Sequence, residues 1–177
     1  LPVTFYKSVE QLPPFADYDM LGRTYRYFEG EPLFPFGHGL CYTTFEYRNL
    51  SVPSRVRAGE DVVVSVDVEN TGAVAGEEVV QLYVTDVEAS VPVPLRSLKG
   101  FWRGLLKPGE RRTVTFTLTP RQLSLVDAQW QRLVEPGLFE ISVGGKQPGF
   151  RGVSDAPTTG VATAVVEVVG QSVKLEP

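Results

Sequence analysis

The chain has 177 residues, 42% of them hydrophobic and 21% charged, with a formal net charge of −4; that suffices for one good core, or for one domain with an extension. No basic run offsets the acidic balance and no apolar stretch reaches membrane-spanning length, which argues against nucleic acid and membranes as partners. A single cysteine, Cys41, excludes an internal disulfide, and with one histidine, His38, and one methionine, Met20, little is left for a metal site; a nucleophile–histidine–acid triad would have to use His38.

The chain opens Leu1-Pro2-Val3-Thr4-Phe5-Tyr6, without a start methionine, a basic region or a cleavage site, and the expectation is a piece of a longer polypeptide. Residues 1–47 hold twelve of the nineteen aromatic residues, interspersed with Pro2, Pro13, Pro14, Pro32 and Pro35, and no helical or strand period runs through them. Each ring left in water forfeits about 1.5–3 kcal/mol. The stretch therefore reads as an irregular arm made to pack on a body, part of which lies outside this sequence.

From residue 45 the pattern changes. Phe45 and Tyr47, then Leu50 and Val52, alternate with a phase shift between them, which predicts a first strand with a bulge near Asn49. Val62, Val64, Val66 and Val68 alternate with Val63, Ser65, Asp67 and Glu69, a half-buried strand. Asn70-Thr71-Gly72 and Ala75-Gly76 bracket a turn, after which Val80, Leu82 and Val84 face inward opposite Gln81, Tyr83 and Thr85. Pro92 and Pro94 forbid a central strand; Leu95–Trp102 is the next one expected. Lys107-Pro108-Gly109-Glu110 is a turn, because proline presets φ and glycine accepts positive φ. Val114, Phe116 and Leu118 alternate with threonines, Pro120–Leu125 allows one helical turn, and Gln131–Val134 leads into the turn Glu135-Pro136-Gly137. Phe139, Ile141 and Val143 face inward until Gly144-Gly145; residues 146–160 form a loop, and Val161–Val169 is a last strand. About seven short strands with turns roughly every ten residues predict an all-β, immunoglobulin-like antiparallel sandwich over residues 45–170. The inter-sheet disulfide and the matching tryptophan of antibody domains are absent, which leaves a fibronectin type III-like sandwich preceded by the arm. The expected division is 1–44 for the arm and 45–177 for the sandwich.

Few residues suggest chemistry. Glu29 and Glu31 would share a face in an extended segment, and paired carboxylates perform glycosidic acid/base catalysis, but Glu29-Gly30-Glu31-Pro32 also reads as a polar turn. Glu77 and Glu78 would fall on opposite faces of a strand. Phe36-Gly37-His38-Gly39-Leu40 lacks the strand–glycine–helix setting and terminal Lys-Ser/Thr of a phosphate loop; its glycines suit a close turn under aromatic neighbours, with His38 as a hydrogen-bonded packing residue. Trp102, Trp130 and Tyr83 are the rings that could stack on a sugar from the sandwich. Asn49-Leu50-Ser51 matches the N-glycosylation sequon. No residue stands out as catalytic, cofactor-binding or metal-ligating.

Residues 21–44, Leu-Gly-Arg-Thr-Tyr-Arg-Tyr-Phe-Glu-Gly-Glu-Pro-Leu-Phe-Pro-Phe-Gly-His-Gly-Leu-Cys-Tyr-Thr-Thr, resemble the C-terminal region of glycoside hydrolase family 3. Asn70-Thr71-Gly72, Glu78–Tyr83, Leu98-Lys99-Gly100-Phe101, Leu106-Lys107-Pro108-Gly109-Glu110 and Gly144-Gly145-Lys146-Gln147-Pro148-Gly149 resemble that family's fibronectin type III-like domain, in β-glucosidase and β-xylosidase members above all. Cys41 stands where the family usually has serine. The resemblance implies that the aspartate nucleophile and the acid/base glutamate lie on domains preceding Leu1, and that residues 1–6 are the tail of an α/β sandwich. It implies that the arm, with Tyr25, Tyr27, Phe28, Phe34, Phe36 and Tyr42, docks on those catalytic domains. The expected function is therefore a non-catalytic accessory domain of a retaining hydrolase acting on β-linked glucose or xylose, needing no cofactor. A carbohydrate-binding module that holds polysaccharide is the alternative. The parent is expected to be secreted or periplasmic, with the cytoplasm left open.

Overall fold

The alternation read from the sequence is the pattern of burial in the protein. Val62, Val64, Val66 and Val68 are wholly buried while Val63, on the opposite face, is exposed. The structure, a computed structural model, describes residues 1–150 and 155–176. Eleven strands are found there: β1 (Phe45–Ser51), β2 (Arg55–Arg57), β3 (Val62–Asn70), β4 (Gly76–Asp86), β5 (Ser97–Leu106), β6 (Arg111–Leu118), β7 (Leu125–Val126), β8 (Arg132–Val134), β9 (Gly137–Gly144), β10 (Val161–Val169) and β11 (Val173–Lys174). Two four-residue helices, α1 (Thr24–Tyr27) and α2 (Pro120–Leu123), complete the regular structure with a 3-10 turn at Val9–Gln11.

Seven of these strands are seven residues or longer, and they make the fibronectin type III-like sandwich. One sheet runs β1-β3-β6, the other β2-β10-β9-β4-β5; β11-β8-β7 is a small third sheet at one end. Phe45, Val62, Val64, Val66, Val68, Val80, Leu82, Leu118, Phe139, Ile141 and Val166 meet between the two larger sheets. The four short strands escape the sequence reading because two or three residues carry no period. One of them, β2, also departs from the antiparallel expectation by pairing parallel with β10.

Two bulges set faces that matter below. In β1, Arg48 faces Asp67 and Ser51 faces Ser65, so three steps on β1 span two on β3. Asn49 absorbs the extra residue at φ 54°, a conformation asparagine tolerates better than most residues. In β5, Leu98 faces Tyr83 and Gly100 faces Leu82, leaving Lys99 as the extra residue. This strand begins at Ser97 and runs to Leu106, later at both ends than the expected Leu95–Trp102. Directly opposed residues of neighbouring strands share a face. Trp102 opposes Val80 and so looks into the core, whereas Phe101 opposes Gln81 and looks out.

Helix α2 is the one turn expected. Pro120 opens it, and Thr119 with Gln122 forms a reciprocal capping box. The Gln122 amide also donates to the Lys99 carbonyl, 2.7 Å away, and so covers part of the β5 edge.

Candidate functional site

The outer face of β4 should be wet by its alternation, yet Gln81 and Tyr83 are 4% and 1% exposed. The arm covers them. Tyr25 stacks on Phe36 with ring centroids 4.1 Å apart and meets Tyr83 edge-on at 6.1 Å. The Tyr25 hydroxyl accepts from the Leu98 amide at 3.1 Å, and the Arg26 carbonyl accepts from the Leu95 amide at 2.7 Å. These bonds seal the start of β5, an edge strand that would otherwise offer unpaired backbone groups. The Tyr83 hydroxyl donates to Gln81 Oε1 at 2.6 Å, and Gln81 Nε2 donates to the carbonyls of Gly37 and Gly145. Burial pushes the Tyr83 hydroxyl far above its ordinary range, so it stays a neutral donor. Gly37 is required at this crossing: its φ is +78°, and a Cβ would lie 2.2 Å from Gln81 Oε1.

The rest of the arm folds on itself. Phe5 and Phe34 form an isolated antiparallel bridge and an edge-on ring pair, and Tyr6 meets Phe28 at 4.9 Å. Arg23 braces the loop before α1. Its Nε donates to the Asp19 carbonyl and its Nη2 to the carbonyls of Asp17 and Pro14. Thr24 follows at φ 56°, a strained setting for a β-branched residue that costs about 1–3 kcal/mol. It is held by the Tyr6 hydroxyl, 2.7 Å from its amide.

The six arm rings singled out by the sequence divide accordingly. Tyr25, Tyr27, Phe28, Phe34 and Phe36 are half-buried within this chain, while Tyr42 is fully exposed. Tyr27 lies under the Arg26 guanidinium at 5.8 Å. The braced loop leaves Phe15, Tyr18 and Leu21 bare, at 100%, 93% and 74% exposure. Part of the body the arm packs on is the sandwich itself.

The sugar-stacking candidates do not assemble. Tyr83 is buried under the arm; Trp102 is half-buried against the core with Arg112 over its ring at 5.6 Å. Trp130 projects at 90% exposure from the β7–β8 turn. Phe101, not named by the sequence reading, is the exposed ring of β5, at the rim of a groove of about 510 Å³ between the Phe36–Cys41 turn and β4–β5.

The acidic residues each have a structural partner or open solvent. Glu31 pairs with Lys7 at 2.7 Å, and Glu29 is exposed. Glu77 pairs with Arg103 on the outer face of the sheet. Glu78 turns inward and is 6% exposed; its Oε1 accepts from the hydroxyls of Tyr47 at 2.7 Å and Thr159 at 2.6 Å. This ties together both large sheets and the loop before β10. Burial raises the Glu78 carboxyl above the usual carboxylate range, against the hydrogen bonds from Thr159, Tyr47 and the Val79 amide. His38 packs against Phe34 at 5.1 Å, and burial holds it below the usual histidine range. Its Nδ1 is buried without a hydrogen bond, unlike the bonded histidine expected. Among the described residues no group of three or more His, Cys, Asp or Glu is placed to hold a metal.

A carboxyl with a raised folded pKa binds its proton more tightly folded than unfolded, so its contribution favours folding at low pH. That contribution declines as pH rises from the unfolded to the folded value, and above both the buried charge is a full penalty. Glu78→Gln keeps an oxygen for both hydroxyls and removes the charge. Its thermal midpoint should therefore equal or exceed the parent's at pH 7, and its advantage should shrink on acidification below the ordinary carboxylate range. A midpoint deficit at pH 7 would oppose this account.

Asn70 is the residue the sequence reading passed over as part of a turn. It is wholly buried. Its Oδ1 accepts from Thr43 Oγ1 at 2.6 Å and the Gly72 amide at 3.0 Å, and its Nδ2 donates to the carbonyls of Val74 and Leu106, both at 2.9 Å. The signal was present in Asn70-Thr71-Gly72, since an asparagine before a turn glycine can bond its own backbone two residues on.

A family model for the fibronectin type III-like domain matches residues 78–147. A β-xylosidase of Formosa agariphila is 45% identical over 150 residues, which are 81% of this chain and 21% of that protein. The thermostable β-glucosidase B of Acetivibrio thermocellus is 49% identical over 127 residues, 68% of this chain and 17% of that one. Among solved structures, β-glucosidase 3B of Thermotoga neapolitana, in complex with α-D-glucose, superposes with a TM-score of 0.78 at 29% identity, over 100% of this chain and 25% of its own. The chain spans about a fifth of the length of the curated relatives it matches.

Proposed function

The chain belongs to glycoside hydrolase family 3, as the region that carries its fibronectin type III-like domain, and on that premise we propose that it is a non-catalytic accessory unit. It would stabilise and position the catalytic domains of a hydrolase acting on β-linked glucose or xylose. The observation that carries this reading is the two-sided arm. One side, through Tyr25 and Phe36, is fastened to the sandwich. The other, the Arg23-braced loop, holds Phe15, Tyr18 and Leu21 in the open. Bracing three apolar side chains clear of the sandwich suits a contact with a further domain, because preorganised loops lose less entropy on docking. Large bare apolar patches are otherwise rare on monomers.

The chemistry agrees. Retaining glycosidases need two carboxyl groups about 5 Å apart across the sugar, and Glu31, Glu77 and Glu78 are each engaged elsewhere. The purified chain should not hydrolyse aryl β-glucosides or β-xylosides. It should self-associate in sedimentation, and Phe15→Ser with Tyr18→Ser should return it to monomer. Turnover abolished by Glu29→Gln or Glu31→Gln would overturn the accessory reading. A parent chain that is already a clean monomer would overturn the docking role of the loop.

A further inference from the structure

Four separate parts of the chain meet around a small, partly open space where the arm joins the sandwich. Thr4 comes from the first arm segment, Tyr25 from α1, Arg96 from the segment leading into β5, and Gln147 from the loop after β9. The space they line measures about 60 Å³, room for one or two molecules of water at ~30 Å³ each.

Its polar groups are incompletely paired. Thr4 and Gln147 are 8% and 7% exposed, and Thr4 Oγ1 and Gln147 Oε1 are buried without a hydrogen-bond partner. A guanidinium carries five N–H donors. Among the described residues Arg96 gives one of them to the Tyr25 carbonyl, at 3.4 Å. Leaving a buried hydroxyl and a buried amide oxygen unbonded is costly, and native interiors rarely do so. Two of the three buried side-chain polar atoms left unbonded among the described residues thus belong to residues lining one cavity beside a cation, the third being His38 Nδ1, whereas the buried Asn70, Gln81 and Glu78 are all bonded.

We propose that this cavity binds one or two ordered waters, which bridge Thr4, Arg96 and Gln147 and so join the arm to the sandwich. Water fits because it both donates and accepts. It can accept from the Arg96 guanidinium, exchange a bond with the Thr4 hydroxyl, and donate to the Gln147 oxygen. A halide only accepts, so it would leave that oxygen unpaired. Turning the Gln147 amide over presents a donor instead, and water serves that orientation as well. The site does not depend on the family assignment; it follows from the arm–sandwich contact alone.

The test has two arms. A crystal structure of the chain at high resolution, with a parallel bromide soak, should show solvent density within hydrogen-bond distance of Thr4 Oγ1 and no anomalous signal there. Thr4→Val is nearly isosteric and tells wet from dry by sign. Removing a hydroxyl bonded to water should lower the thermal midpoint by about 2–4 °C, whereas removing an orphaned hydroxyl should raise it. A dry cavity, a bromide peak, or a Thr4→Val midpoint at or above the parent's would each overturn the proposal. Thr4→Ser, which keeps the hydroxyl, should retain the density; its loss there would count equally against the bridge.

Discussion

Asn70→Ala is expected to destabilise the chain by about 3–5 kcal/mol, lowering the thermal midpoint on the order of 10 °C. The amide is wholly buried and all four of its hydrogen bonds are made. Alanine would strand the Thr43 hydroxyl, the Gly72 amide and the carbonyls of Val74 and Leu106 at once. Stranded buried groups cost more than the average bond contributes. The backbone of Asn70 is also engaged, donating to the Glu110 carbonyl and accepting from the Gly109 amide, so this residue joins the β3–β4 turn to the β5–β6 turn. Asn70→Asp should be nearly as damaging, because it sets an oxygen against the Val74 and Leu106 carbonyls. Urea unfolding of both variants decides the matter. A loss under 1 kcal/mol for either would show that the network is redundant.

Tyr25→Ala is expected to release the arm without unfolding the sandwich. The ring stacks on Phe36, meets Tyr83 edge-on, and its hydroxyl holds the Leu98 amide. Burial of one ring with two aromatic contacts is together about 3 kcal/mol, a hundred-fold or so in a local opening equilibrium. Hydrogen exchange should therefore accelerate about a hundred-fold at the amides of Phe28, Leu95 and Leu98, whose acceptors are Thr24, Arg26 and Tyr25. The amides of β3 should keep their protection. Tyr25→Phe preserves the stack and should affect Leu98 alone. Uniform acceleration across the chain would mean that arm and sandwich open as one cooperative unit.

The contrast between these two residues marks how far the sequence could be read. The sandwich was legible because a strand buried on one face writes its burial every second residue. Val62 to Val68, Val114 to Leu118 and Phe139 to Val143 carry that signal over enough residues to count. The bulge at Asn49 was legible for the same reason, since a shift of phase is itself a pattern. Turn chemistry located Gly109 and Gly137, where φ is positive. β2, β7, β8 and β11 were not legible, because two or three residues have no period, and the partners of β2 and β11 lie far along the chain.

The site was legible in composition only. Ten aromatic residues in an irregular segment of 44 announce that burial must happen, and the run from Leu21 to Thr44 carries the family resemblance. Neither indicates which surface does the burying. Gln81 and Tyr83 alternate as solvent-facing residues and lie buried because another part of the chain lands on them. Phe101 and Trp102 exchange faces through one bulge residue, Lys99, which no local pattern marks. Thr4, Arg96 and Gln147 are separated by scores of residues and become neighbours only when the arm closes on the sandwich. By itself, then, the sequence determined the all-β class, the strand faces, the turns and the family, all of which rest on interactions between near neighbours or on patterns they write. Tertiary structure alone decided which rings are buried, where Glu78 turns inward and which polar groups share a cavity. Those outcomes depend on long-range contacts, whose energies appear only once the chain has paid the entropy of bringing distant segments together.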